Sequence, residues 1–274
     1  MVTRPRTVRG ADRLCHTAGG RTVALSDICE PGLLRREPAA GAGGQIVMLL
    51  LLGTATGLGP AGWLAGLVFA AAGWAVLGRA LARSGRPHRP FGPANAVTLA
   101  RATLVGGVTA LVAESLLGDR PPLAVLAALG AVALVLDAVD GKVARRTGTA
   151  SPLGARFDME VDAFLILVLS VQVALSLGPW VLLIGAMRYA FVAAARPMPW
   201  LNGPLAPSTA RKTVAALQGI VLLAAATVPL PPAVVYGLVL GALCSLVWSF
   251  ARDVRWLWRV RGGARTRART PENA

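Results

Sequence analysis

The stretch DAVDGKVARRTGTASPLGARFDMEVD, residues 137–162, sets Asp137, Asp140, Asp158 and Asp162 between two long apolar runs. Burying an unpaired charge in such surroundings is costly, so something must compensate these carboxylates. A helix through residues 137–145 places Asp137, Asp140, Gly141 and Ala144 on one face, with Arg145 close to the same stripe. A second helix beginning near Pro152 places Gly154, Asp158 and Asp162 on one face as well. The intervening RRTGTAS is a short turn, so the two helices are expected to be antiparallel neighbours whose acidic stripes converge.

Working outward, the 274-residue chain is 55% hydrophobic and only 15% charged, too few charges for an ordinary soluble domain of this length. Its apolar residues come in runs of about 18 to 25, the length of a bilayer-spanning helix. The expected fold class is therefore an all-α integral membrane protein. Runs near 95–117, 122–145, 153–177, 178–196, 209–229 and 232–251 form a six-helix transmembrane core. Two earlier runs, split near Gly59-Pro60, form a two-helix hairpin over 41–82, for about eight spans in all. The breaks hold Gly, Pro and polar residues, as in GDRPP, LGP and PLPP. Residues 1–40 read as a basic cytoplasmic extension, 83–94 as a basic connector, 95–251 as the core and 252–274 as a basic cytoplasmic tail.

The formal net charge is +15, but Lys and Arg gather at the ends of apolar runs and in the two termini. That distribution points to anionic lipid headgroups, and no basic stripe interleaved with aromatics marks a nucleic-acid surface. The alternate connectors hold only Asp119 and Arg120, so both termini and the aspartate-bearing end of the core are expected on the cytoplasmic side of a multi-pass cell-membrane protein. Cys15, Cys29 and Cys244 lack CxxC spacing and support neither a disulfide framework nor a zinc site.

Four converging carboxylates cannot all stay ionised without a counter-charge of similar size. Lys142, Arg145 and Arg146 are the nearest cations in sequence. Ligands that are all oxygen, without His or Cys, favour a hard divalent ion, Mg2+ or Mn2+, and there is enough carboxylate for two. Gly141, Ala144 and Gly154 leave side-chain-free surface on which a bulky phosphorylated ligand can approach the backbone.

The spacing Asp137-x2-Asp140-Gly141-x2-Ala144-Arg145-x8-Gly154-x3-Asp158-x3-Asp162 resembles, at every fixed position and both gaps, the signature of the CDP-alcohol phosphotransferases, also called CDP-alcohol phosphatidyltransferases. The resemblance covers residues 95 to about 251. It implies transfer of a phosphoalcohol group from a CDP-linked donor, usually CDP-diacylglycerol, to an acceptor hydroxyl with release of CMP, in phospholipid biosynthesis. It implies metal ligation by Asp137, Asp140, Asp158 and Asp162, with Asp162 as the general base. NAVTLAR, residues 95–101, resembles the Asn-x-x-Thr segment with which relatives hold the nucleotide through the positions of Asn95 and Thr98. Asn95 reads equally well as a helix N-cap. By the same resemblance Gly141, Ala144, Arg145, Ser151 and Gly154 face the donor, while Arg145 also suits a topology signal and Ser151 a helix cap. Relatives are often homodimers.

The acceptor is less defined. Arg188, well inside the fourth core span, either holds an acceptor phosphate or pairs with one of the aspartates. Arg196 and Lys212, with Arg211, flank a connector and are candidates for acceptor binding or interface anchoring. Two other chemistries use intramembrane acids: a Mg-dependent prenyltransferase and a divalent-cation transporter. The first calls for a second, distant Asp-rich motif and the second for inverted repeats and acids on both sides, and the sequence displays neither.

Overall fold

The computed structural model describes residues 33–84, 93–118, 121–147, 152–203, 205 and 208–267. Among them are eight α-helices and no strand. The helices are α1 (Leu33–Thr56), α2 (Pro60–Ser84), α3 (Pro93–Leu116), α4 (Leu123–Thr147), α5 (Pro152–Leu177), α6 (Leu182–Ala194), α7 (Thr209–Thr227) and α8 (Pro232–Arg267). Each apolar run of the sequence is thus one helix. α2, α3, α5 and α8 each begin with proline, which suits the first helical turn because its missing N–H would have no partner there. Three breaks carry a left-handed glycine, Gly57 (φ 69°), Gly118 (φ 97°) and Gly178 (φ 102°), a conformation that L side chains avoid. Three helical stretches are long and apolar enough to cross a membrane: Val97–Leu116, Gly154–Leu177 and Pro232–Arg261. Gly41–Thr56, Pro60–Val76, Leu123–Val139 and Pro179–Ala194 are apolar but shorter.

α3 is the hub, packing on α1, α2, α4 and α5. Val105, Val108 and Leu111 of α3 meet Leu126 and Ala133 of α4 and Leu165, Leu169 and Val173 of α5 in one buried cluster, which α7 and α8 close with Leu222 and Val239. Between helices in lipid, association comes from close packing more than from withdrawal of apolar surface from water. Small residues accordingly mark the contacts. Gly41 and Gly44 of α1 lie against Leu99 and Thr103 of α3, and Gly106 of α3 lies against Gln45, so α1 and α3 run parallel.

At the end of α3 away from the aspartates, buried Glu114 accepts a hydrogen bond from the Gly62 N–H, in the first turn of α2. The first N–H groups of a helix have no partner within it and carry partial positive charge, so a carboxylate there satisfies both needs. In the second half, Gln218 of α7 donates to the Ala242 carbonyl (2.9 Å) and the Ser245 hydroxyl (3.3 Å) of α8.

Two helices run past their expected limits. α1 begins at Leu33 rather than near residue 41, and α8 continues to Arg267, through most of the stretch read as a tail. The reason at α8 is a satellite cluster. Leu257 is buried with Ala195 and Leu201, and Val254, Phe191 and Trp200 pack around them. Arg261 lies 5.7 Å from the Trp200 ring and Arg252 lies 5.0 Å from the Trp248 ring. The stretch is basic, but its apolar residues recur with helical spacing and have a connector to cover them.

Candidate active site

The convergence expected of the two acidic helices is present. Asp137 of α4 and Asp158 and Asp162 of α5 each offer a carboxylate oxygen, and these three oxygens lie within 4.8 Å of one another. All three side chains are half-buried. The turn between the helices carries Ser151, which lies outside the described residues. Asn95, Asp140, Gly141, Ala144 and Arg145 lie on helices, but their side chains are likewise outside what the structure describes.

The charge partner of the three acids comes from a third helix. Arg101 of α3, whose side chain is 1% exposed, donates from Nη1 to Asp137 Oδ1 at 2.7 Å. Its Nη2 donates to the Asp158 carboxylate and, at 3.1 Å, to the Asp158 carbonyl, and it lies 3.1 Å from Asp162 Oδ1. A planar guanidinium suits this position because its donors fork toward separate acceptors. Lys142, Arg145 and Arg146, the nearest cations in sequence, have side chains outside the described residues. Arg101 is a counter-charge for the three described acids. Its signal was legible: an arginine inside an apolar helix, in NAVTLAR, needs a charged partner. Thr98, one turn before it on α3, is buried, and Gly154 is half-buried in the first turn of α5.

Among the described residues, one cation faces three acids. That donor set, oxygen-only and convergent from two helices, fits a hard divalent ion. Asp137, Asp158 and Asp162 are the described residues that would hold it.

Arg188 corrects the sequence reading in one respect. Among the described residues its ion-pair partner is not an aspartate: its Nη2 donates to Glu160 of α5, an acid not considered for the role. Its buried Nε has no hydrogen-bond partner among the described residues. Arg196 and Lys212 are both exposed and form no ion pair among the described residues. Arg211 instead reaches Asp253 of α8 at 3.3 Å, and Arg252 donates to the Ser208 hydroxyl at 3.2 Å. Ser208 caps α7, accepting the Arg211 N–H at 3.5 Å. Among the described residues no ion pair joins the three acceptor candidates into one cluster, and Arg188 is the one paired with the acidic helix α5.

Acids on two adjacent helices, neutralised in part by a buried arginine, form a polar cluster in an all-helical protein with three membrane-span candidates among the described residues. The CDP-alcohol phosphatidyltransferase family matches residues 91–249, more than half of the chain, and the chain belongs to that family. No curated protein and no solved structure matches it. Family membership makes it a transferase of phosphoalcohol groups from CDP-alcohols, and favours that chemistry over prenyl transfer or cation transport. The match takes in α4, α5 and Arg101, and leaves α1 and α2 outside.

Proposed function

We propose that the chain transfers a phosphatidyl group from CDP-diacylglycerol to the hydroxyl of a small alcohol or phosphorylated alcohol and releases CMP, on the cytoplasmic face of the membrane. The observation that carries this reading is the convergence of Asp137, Asp158 and Asp162 on Arg101 within the family-matched region. The acceptor oxygen attacks the phosphorus that bears the diacylglycerol arm. The phosphorus–oxygen bond to CMP breaks, CMP leaves with that electron pair, and the acceptor proton passes to Asp162.

Asp137, Asp140 and Asp158, with Asp162 contributing, would hold one or two Mg2+ or Mn2+ ions. When bound, the metal neutralises the diphosphate oxygens and the charge that develops on departing CMP. Arg101 holds the three described carboxylates in one constellation, fixing where the acceptor proton can go. Gly154 leaves the first turn of α5 without a side chain where the nucleotide passes, and Asn95, Thr98, Gly141, Ala144, Arg145 and Ser151 complete the donor site. Arg188 is the acceptor-side candidate, because its Nε donor is unmatched among the described residues.

The test is CMP release from CDP-diacylglycerol by membranes carrying the protein, with a panel of candidate alcohols. Release should stop in excess EDTA and return with Mg2+. Asp137→Asn should weaken metal binding and be partly rescued by added Mg2+. Asp162→Asn should retain donor binding yet lose turnover by about 10^2 to 10^4, the usual worth of a positioned base, without rescue. Release that continues undiminished in EDTA would remove the metal assignment, and near-normal turnover of Asp162→Asn would move the base elsewhere.

A further inference from the structure

A cavity of about 440 Å³ lies between the N-terminal hairpin and the family core. Its walls come from α1 (Gly41, Ala42, Gln45), from α2 around Val68, Phe69 and Gly73, from α3 around Leu99 and Ala102, from one face of α5, and from Tyr189 of α6. That α5 face, Phe157, Glu160, Val161 and Phe164, adjoins the face carrying Asp158 and Asp162. Ala102 follows Arg101 directly. The cavity therefore backs onto the reaction centre and exists only because the hairpin, outside the family match, closes its far side.

The wall is almost wholly apolar, and most of its polar groups are already served. Thr103 and Thr109 return their hydroxyls to the carbonyls of Leu99 (3.1 Å) and Val105 (2.7 Å), and Glu160 is held by Arg188. Among the buried ones Gln45 is the exception: it is 2% exposed, lines the cavity, and neither its Nε2 nor its Oε1 has a hydrogen-bond partner among the described residues. A buried amide left unmatched costs stability that an apolar residue of similar shape would not. The amide is held there by Gly106, on which a Cβ would come within 2.2 Å of Gln45 Oε1. Gly106 is five residues beyond Arg101, about 7 Å along the α3 axis, so Gln45 packs deeper along α3 than the backbone of Arg101.

We propose that this cavity seats one acyl-ester arm of the diacylglycerol-bearing substrate, with Gln45 Nε2 donating to its ester carbonyl. The inference rests on the phosphatidyl-transfer reading above. A phosphatidyl group with its phosphorus at the carboxylates carries its acyl esters a glycerol backbone away, a comparable distance, and the chain that follows is apolar like the wall. The hairpin is then a substrate-binding element added to the family core.

The test measures dissociation constants of the full-length protein for dioleoyl CDP-diacylglycerol, for its dialkyl-ether counterpart, which lacks the carbonyl, and for a dihexanoyl form. The wild type should bind ester over ether by about fivefold, the worth of one hydrogen bond, and Gln45→Leu should abolish that preference. Gly73→Phe places a ring in the cavity from a position where an added Cβ meets nothing within 4 Å. It should weaken binding of the dioleoyl donor about tenfold or more while sparing the dihexanoyl one. Equal binding of ester and ether by the wild type, a preference that survives in Gln45→Leu, or equal losses for long and short chains in Gly73→Phe would each overturn the proposal. CMP release by the wild type is scored alongside. A protein that shows these binding preferences but releases no CMP would refute the transfer reading and support the lipid site.

Discussion

Arg101 is the residue on which the geometry of the centre turns. A buried guanidinium is tolerable only while paired, and carboxylates brought together are tolerable only while neutralised, so each side of this cluster stabilises the other. Arg101→Met should therefore lower stability in EDTA by about 3 kcal/mol, the lower end for breaking a buried pair, since the acids are half-exposed. Mg2+ should restore part of the loss, because a divalent ion replaces the missing charge. Arg101→Lys should fall between, keeping the charge but not the fork of donors. Thermal melts of the three proteins in EDTA and in Mg2+ check this, and an Arg101→Met melt unchanged in EDTA would show that the acids need no counter-charge from α3. The same residue marks the limit of reading the site from sequence. Helical spacing places Asp137, Asp158 and Asp162 correctly because it depends only on the pitch of two helices joined by a short turn. That Arg101 reaches Asp137, Asp158 and Asp162, and that Arg188 reaches Glu160, depends on how α3 and α6 pack, which no local pattern encodes.

Among the elements, the α5–α6 pair shows how closely two helices must approach for Arg188 to reach Glu160. Gly185 of α6 faces α5 so tightly that a Cβ would lie 2.6 Å from Leu167 Cα and 2.4 Å from Ser170 Oγ. The first of these is backbone and cannot rotate aside. Gly185→Ala should therefore push α6 outward and cost about 1 to 3 kcal/mol, the range for overpacking, even though alanine is the better helix former. A melting temperature equal to wild type would mean that the two helices are not packed at this distance. Element boundaries were legible wherever Gly and Pro punctuate the chain, as at Gly59-Pro60, Gly118 and Gly178. They were missed at α8, where Arg252, Arg255, Arg259 and Arg261 disguise a helix whose apolar stripe is covered by the connector after α6. Charge there reported what faces outward and hid what faces inward.

For the whole molecule, orientation follows from charge rather than from packing. Basic residues are concentrated in both termini and in the connectors at 83–90, 142–146 and 196–212, and the last two adjoin the aspartate-bearing and Arg211-bearing helix ends. If the membrane retains Lys and Arg on its cytoplasmic side, both termini and the aspartate-bearing helix ends are predicted to lie there. An even number of crossings is required, and the eight helices satisfy it if each spans. Cys15 and Cys29 report the N-terminus directly, since Cys244, the other cysteine, lies on α8 within the apolar stretch Pro232–Arg261. In intact cells expressing a Cys244→Ser variant, an impermeant maleimide should leave the protein unmodified, and lysis should make it reactive. A cysteine placed at Thr270 in a variant lacking the other three should behave the same way. Labelling of both termini in intact cells would invert the orientation, and labelling of one alone would require an odd number of crossings, so that one of the shorter apolar helices, such as Gly41–Thr56, lies within the membrane without traversing it.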